Sequence, residues 1–70
     1  SKRYEELDYT PLTEMKSLVW LDLTHHTRVD EALCGAILDS NKELKYLDIS
    51  YTEAAKSGAK PKVDYLRNAT

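Results

Sequence analysis

Cysteine occurs once in the 70 residues, at Cys34, so no internal disulfide can form. Small secreted domains usually carry several bridges, and this cysteine usage makes an intracellular, cytoplasmic setting the expected one. Glycine and proline occur twice each. With only Gly35 and Gly58 available, the chain has no glycine-rich loop of the kind that cradles a phosphate, and nucleotide use is not expected. No apolar run approaches the ~20 residues needed to cross a bilayer. The opening Ser1-Lys2-Arg3-Tyr4-Glu5-Glu6 has basic residues without the hydrophobic stretch of a secretory signal. Basic residues are in short supply too: ten Lys and Arg against twelve Asp and Glu, scattered rather than clustered, leave no electrostatic footprint for nucleic acid. Neither nucleic acid nor a membrane is an expected partner. The start at Ser1 instead of Met is compatible with a cleaved chain or a segment of a longer one.

What is present is the composition of a soluble globular chain, 41% hydrophobic and 31% charged. At this length a single domain is expected, burying roughly 60% of the surface its unfolded chain exposes, with marginal stability as the consequence.

The chain also spells one phrase twice. Leu18-Val19-Trp20-Leu21-Asp22-Leu23-Thr24 returns as Leu44-Lys45-Tyr46-Leu47-Asp48-Ile49-Ser50, a spacing of 26 from Leu18 to Leu44. Apolar residues alternate with others in Leu21-Asp22-Leu23-Thr24 and in Leu47-Asp48-Ile49-Ser50, the period of a half-buried strand. Between the phrases, Val29, Ala32, Leu33, Ala36 and Ile37 fall on one face of an amphipathic helix, with Thr27 as its expected cap, Asp30 in the capping-box position and Ser40-Asn41 at its end. A strand, helix, strand order returns the chain to the same edge, so parallel pairing is expected. Glu53-Ala54-Ala55-Lys56 favours one more short helix, stopped by Gly58 and Pro61. Thr10 to Ser17, with Pro11, reads as a turn or single helical turn.

Leu-x-x-Leu-x-Leu at this period, with a helical segment between, resembles the leucine-rich repeat, and the Asp30-Glu31-Ala32-Leu33-Cys34 helix start is similar to the 26-residue, cysteine-containing class found in F-box-type ubiquitin-ligase substrate receptors. The fold class this implies is α/β, a short leucine-rich-repeat solenoid with a parallel sheet on its concave face and helices or turns on its convex face. The whole chain, 1–70, then forms one repeat segment. Its well-formed units are 18–43 and 44–62. Degenerate units flank them, one around Tyr4 and Leu7, the other around Val63 and Leu66, where Asn68 replaces the third apolar residue. The family usually places Asn, Cys or Thr just after the strand; Thr52 fits, whereas the first phrase has His26, so either His26 takes that role or the loop is longer.

In such a repeat the leucines point inward and the residues between them face out of the sheet. Strands about 4.8 Å apart then align equal positions in rows: Trp20, Tyr46 and Tyr65; Asp22, Asp48 and Arg67; Thr24, Ser50 and Ala69. Exposed aromatics flanked by charge suit protein recognition, because Trp, Tyr and Arg dominate interface hot spots. The same rings can instead stack on each other purely for stability. The resemblance implies a protein-protein interaction module, a scaffold or ubiquitin-ligase adaptor, with Trp20, Asp22, His25, Tyr46, Asp48, Tyr51 and Tyr65 as partner-contacting residues. Its alternative is a structural or assembly subunit that caps or completes a larger chain or complex.

No enzyme is expected. Asp22 and Asp48 are paired carboxylates without a cleft or nucleophile, and Cys34 with His25 or His26 lacks an orienting third group. No cofactor or metal is expected either: adjacent histidines on an extended segment point to opposite faces, and the paired ligands of structural zinc are missing.

Overall fold

The computed structural model describes residues 7–70. Six elements follow in order: α1 (Thr10–Glu14), β1 (Trp20–Asp22), α2 (Glu31–Ser40), β2 (Tyr46–Asp48), α3 (Glu53–Lys56) and β3 (Tyr65–Arg67). The strands form one open parallel sheet in the order β1-β2-β3. The repeated phrase is thus the same strand built twice, and the third strand pairs in the expected register: Trp20, Tyr46 and Tyr65 are aligned, as are Leu21, Leu47 and Leu66, and Asp22, Asp48 and Arg67.

Alternation along each strand sends one set of side chains to the helices. Leu23, Leu44, Leu47 and Ile49 from the strands and their flanks meet Cys34 and Ile37 of α2, Ala54 and Ala55 of α3, and Val29 and Ala59 from the loops. The central strand is sealed, with Leu47 1% and Ile49 0% exposed. Leu21 and Leu66, at the same position on the outer strands, are only half-buried, since each has a neighbour on one side alone.

The start of α2 differs from expectation. Asp30, not Thr27, is its cap, with the carboxylate accepting from the Leu33 amide at 2.9 Å. Val29 decides this. It is completely buried, and a turn at Thr27 and Arg28, closed by the Val29 amide on the His26 carbonyl at 3.0 Å, brings it to the core before the helix starts. Val29 and Cys34 then occupy the positions of a hydrophobic staple on either side of the cap. The apolar face is accordingly rotated: Cys34 and Ile37 are buried, whereas Ala32 and Ala36 are exposed. Cys34 therefore belongs to the core rather than to its margin. The helix ends at Ser40, as expected, with Asn41 as its C-cap.

α3 is capped by Thr52, whose hydroxyl donates to the Ile49 carbonyl at 2.6 Å and accepts from the Ala55 amide at 3.2 Å. At the matching place in the first phrase, the His26 backbone amide bonds the Leu23 carbonyl at 3.1 Å, and the helix cap comes four residues later. The loop is longer, so the cap and the post-strand residue are separate there. Gly58, at φ 82, turns the chain out of α3. At the amino end the single helical turn is present, with Pro11 in its first turn. Tyr4, the first apolar position of the shortened amino-terminal unit, lies outside the described residues; Leu7 is exposed and forms no strand.

Gly35 sits within α2, and a methyl group there would meet no atom within 4 Å. Gly35→Ala is expected to stabilise the domain by about 0.5–1 kcal/mol, because a glycine in mid-helix loses more backbone entropy on folding than alanine does. Thermal unfolding followed by circular dichroism should show a rise of several degrees, on the order of 4–8 °C per kcal/mol at this size.

Candidate functional site

With the helices on one side, the other side of the sheet carries the intervening residues. Trp20 is 60% and Tyr65 70% exposed, and Tyr46 between them is half-buried. The Trp20 and Tyr46 rings are stacked, with centroids 5.2 Å apart and planes within 6°. Such a cross-strand aromatic pair contributes about 0.2–1 kcal/mol to the sheet, yet it leaves most of the indole open to solvent.

The row below is charged and local in its bonding. Asp22 accepts from the Thr24 amide at 2.9 Å and the Thr24 hydroxyl at 2.6 Å. Asp48 repeats the arrangement by accepting from the Ser50 amide at 2.9 Å. The Asp-x-(Thr/Ser) element of the phrase is therefore a turn device in both copies, consistent with the habit of Asp side chains to bond backbone two residues on. Asp48 differs from the expectation of an outward contact residue: it is 8% exposed. It stands between Asp22 and Arg67 in the register, and the Arg67 guanidinium lies 3.8 Å from its carboxylate while remaining 71% exposed. Burial pushes the Asp48 carboxyl up. The Ser50 hydroxyl and amide, the Thr24 hydroxyl and the Arg67 charge together outweigh that and hold it below the ordinary aspartate value. The Asp48 carboxylate is thus ionised at neutral pH.

Immediately after these turns, His25 at φ 67 and Tyr51 at φ 60 adopt the left-handed backbone conformation. For non-glycine residues this costs on the order of 1–3 kcal/mol and persists only where the surroundings enforce it. Here the His25 amide donates to the Ser50 carbonyl at 2.9 Å and the Tyr51 amide to the Ala69 carbonyl at 2.8 Å. The two rings stack, centroids 4.6 Å apart and planes within 10°. Both side chains stay exposed at the carboxyl end of the sheet. The two histidines part company: His26 turns to Tyr9, whose hydroxyl lies 2.7 Å from its Nδ1, with the rings edge to face.

The sheet face thus gathers Trp20, Tyr46 and Tyr65 in one row, Asp22, Asp48 and Arg67 in the next, and the His25–Tyr51 stack at one end. Arg67 is the residue that the sequence-based site left out, although its alignment with Asp22 and Asp48 already placed it on this face.

Two hollows, about 150 Å³ beside Cys34, Leu38 and Pro61 and about 260 Å³ beside Tyr51, Glu53 and Lys56, fall below the roughly 300–1,000 Å³ of small-molecule sites. Among the described residues no three His, Cys, Asp or Glu side chains converge as a metal ion requires, and no helix is long and apolar enough to cross a membrane. Burial, with Asp30 and Glu31 nearby, pushes the Cys34 thiol from 9.0 up to about 11. A thiol so raised is protonated at neutral pH and a poor nucleophile.

That shift has a sign that can be measured. The neutral thiol is favoured in the folded state, so its contribution to stability is intact below pH 9 and is lost as pH rises through about 11. Urea titrations should show wild type losing stability over this window faster than Cys34→Ala. Parallel curves would contradict the assignment.

The molecule is, in class, a small α/β domain whose open parallel sheet has one face covered by helices and one bare. No protein-family model, curated protein or solved structure matches the chain.

Proposed function

We propose that the domain is a protein-protein interaction module of the leucine-rich-repeat type, a short solenoid segment that grips a partner on its bare, concave sheet face. The observation that carries this reading is the aromatic row. Trp20, Tyr46 and Tyr65 stand in register on a face that no helix covers, and two of the three are more than half exposed. Large exposed apolar groups framed by charge mark recognition surfaces. Asp22, His25 and Tyr51 extend the contact, and Asp48 acts through Arg67, whose guanidinium it holds over the face. The strain kept at His25 and Tyr51 supports their inclusion, since such backbone conformations concentrate at working sites. The buried, protonated Cys34 supports binding rather than catalysis. By the repeat resemblance, an intracellular, cytoplasmic ubiquitin-ligase substrate receptor is the kind of protein in which such a segment works.

The test is a double substitution. Trp20→Ala with Tyr46→Ala removes two candidate hot spots, each worth at least about 2 kcal/mol or some 30-fold in affinity, while costing the fold only their mutual stacking. Affinity capture followed by mass spectrometry should lose the partner that wild type retains, with unchanged far-UV circular dichroism. Equal capture by both proteins would sink the reading.

A second reading, a structural subunit within a larger assembly, is favoured by the two sheet edges that no described residue pairs, where Leu21 and Leu66 remain half-buried.

A further inference from the structure

Among the described residues, each outer strand has backbone groups with no partner on its outer side. The ladder bonds fix which ones. Leu23 and His25 donate toward β2, so the odd-numbered residues of β1 are engaged and Trp20 and Asp22 direct their backbone N–H and C=O outward. On β3, Tyr65 donates to Lys45 and Arg67 accepts from Ile49, which leaves the backbone of Leu66 facing out.

These two edges match each other. In a parallel pair one residue donates to and accepts from two residues that flank its partner. Leu66 of β3 would therefore donate to the Trp20 carbonyl and accept from the Asp22 amide of an incoming β1. The register this imposes continues all three rows of the sheet: Tyr65 beside Trp20, Leu66 beside Leu21, and Arg67 beside Asp22. The side chains agree with the backbone. The 71%-exposed Arg67 guanidinium has an aspartate on one side only. Asp22 has on its inner side another aspartate, Asp48, a like-charge neighbour that destabilises a cross-strand pair. A second Arg67 on its outer side would offset that repulsion. The half-buried Leu21 and Leu66 would become sealed as Leu47 already is, at 1% exposure.

We infer that β3 of one copy pairs with β1 of a second copy, parallel and in this register, so that the chain self-associates head to tail by extending its own sheet. The contact joins two different surfaces, so each added copy offers a fresh edge and growth does not stop at two. It uses the strand edges and leaves the aromatic rings exposed, while Asp22 and Arg67 are shared with the proposed partner site; sedimentation of the chain without a partner reads the self-contact separately.

Sedimentation equilibrium of the 70-residue chain, up to about 1 mM, the weak end of measurable affinities, tests this. Wild type should show an average mass that rises with concentration beyond that of a dimer, and less steeply at high salt, which screens the Arg67–Asp22 contact. Arg67→Glu should weaken association about tenfold or more, because like charges then face each other across the contact. Asp22→Lys should do the same, and the double variant Asp22→Lys/Arg67→Glu should recover it. Asp22 also holds a turn, so circular dichroism accompanies each variant. If Asp22→Lys fails to fold, Arg67→Lys, which keeps the charge, should retain association where Arg67→Glu loses it. A wild-type monomer at every concentration, a dimer as the end state, or association indifferent to Arg67→Glu would each overturn the inference.

Discussion

Leu47→Ala is expected to remove about 2–5 kcal/mol of stability, the range for truncating a sealed aliphatic core residue. A domain of this size holds only about 4–10 kcal/mol in total, so the variant should lose about half of its stability. The position explains the severity. Leu47 is 1% exposed at the middle of the central strand, aligned with Leu21 on one side and Leu66 on the other, and it meets the α2 and α3 side chains above the sheet. No neighbour can collapse into the gap without breaking the strand register that holds it. Urea unfolding monitored by circular dichroism should place the midpoint at half that of wild type or lower. Leu21→Ala, at the equivalent but half-buried position on β1, should cost distinctly less. Equal losses at the two positions would mean that the central strand is not the sealed layer described.

Asn41→Ala is expected to cost about 2–4 kcal/mol, from polar groups left without partners. Asn41 is 1% exposed and ties three parts of the chain together. Its Oδ1 accepts from the Leu18 amide at 3.0 Å, and its Nδ2 donates to the Ile37 carbonyl at 2.9 Å and the Leu12 carbonyl at 3.2 Å. The end of α2, the approach to β1 and the α1 turn are thereby locked through one amide. Alanine orphans the Leu18 amide and the Leu12 carbonyl and leaves a void. Asn41→Asp separates the contributions. It keeps the acceptor, loses both donors, and puts a carboxylate where burial raises its pKa. The neutral acid is then the form the fold tolerates, so this variant should gain stability as pH falls and lose it as pH rises, over a range in which Asn41→Ala changes no more than wild type. Denaturant midpoints measured across acid to neutral pH would settle it. An Asn41→Ala loss under about 0.5 kcal/mol, the level of an ordinary surface change, would show the amide to be replaceable.

Neither residue carries the same visibility in the sequence. Leu47 announces itself by its place in the repeated phrase. Asn41 reads there only as a plausible helix end, because nothing local records that Leu12 and Leu18 will arrive beside it. The same division separates Asp22 from Asp48. They occupy one position of one motif and both bond the residue two ahead. Only Asp48 has a strand on each side, and so only Asp48 is buried and drawn to Arg67. The cap of α2 follows suit: Thr27 and Asp30 are both good caps by type, and the burial of Val29 selected Asp30.

By itself the sequence determined the three strands, their parallel sense, the rows that put Trp20 with Tyr46 and Tyr65, and the division of each strand into an inward and an outward set. The first two strands and their parallel sense follow from alternation and from the strand, helix, strand order, which are local or periodic properties; the third strand and the rows follow only from the repeat resemblance, because Val63 and Leu66 lie outside the 26-residue spacing. The tertiary structure alone decided how deeply each row is buried, where α2 begins, which amide knots the amino-terminal half, and that His25 and Tyr51 are held left-handed and stacked. These depend on which atoms from distant segments come to lie beside a residue, and a pattern read along one chain carries no record of its neighbours in space.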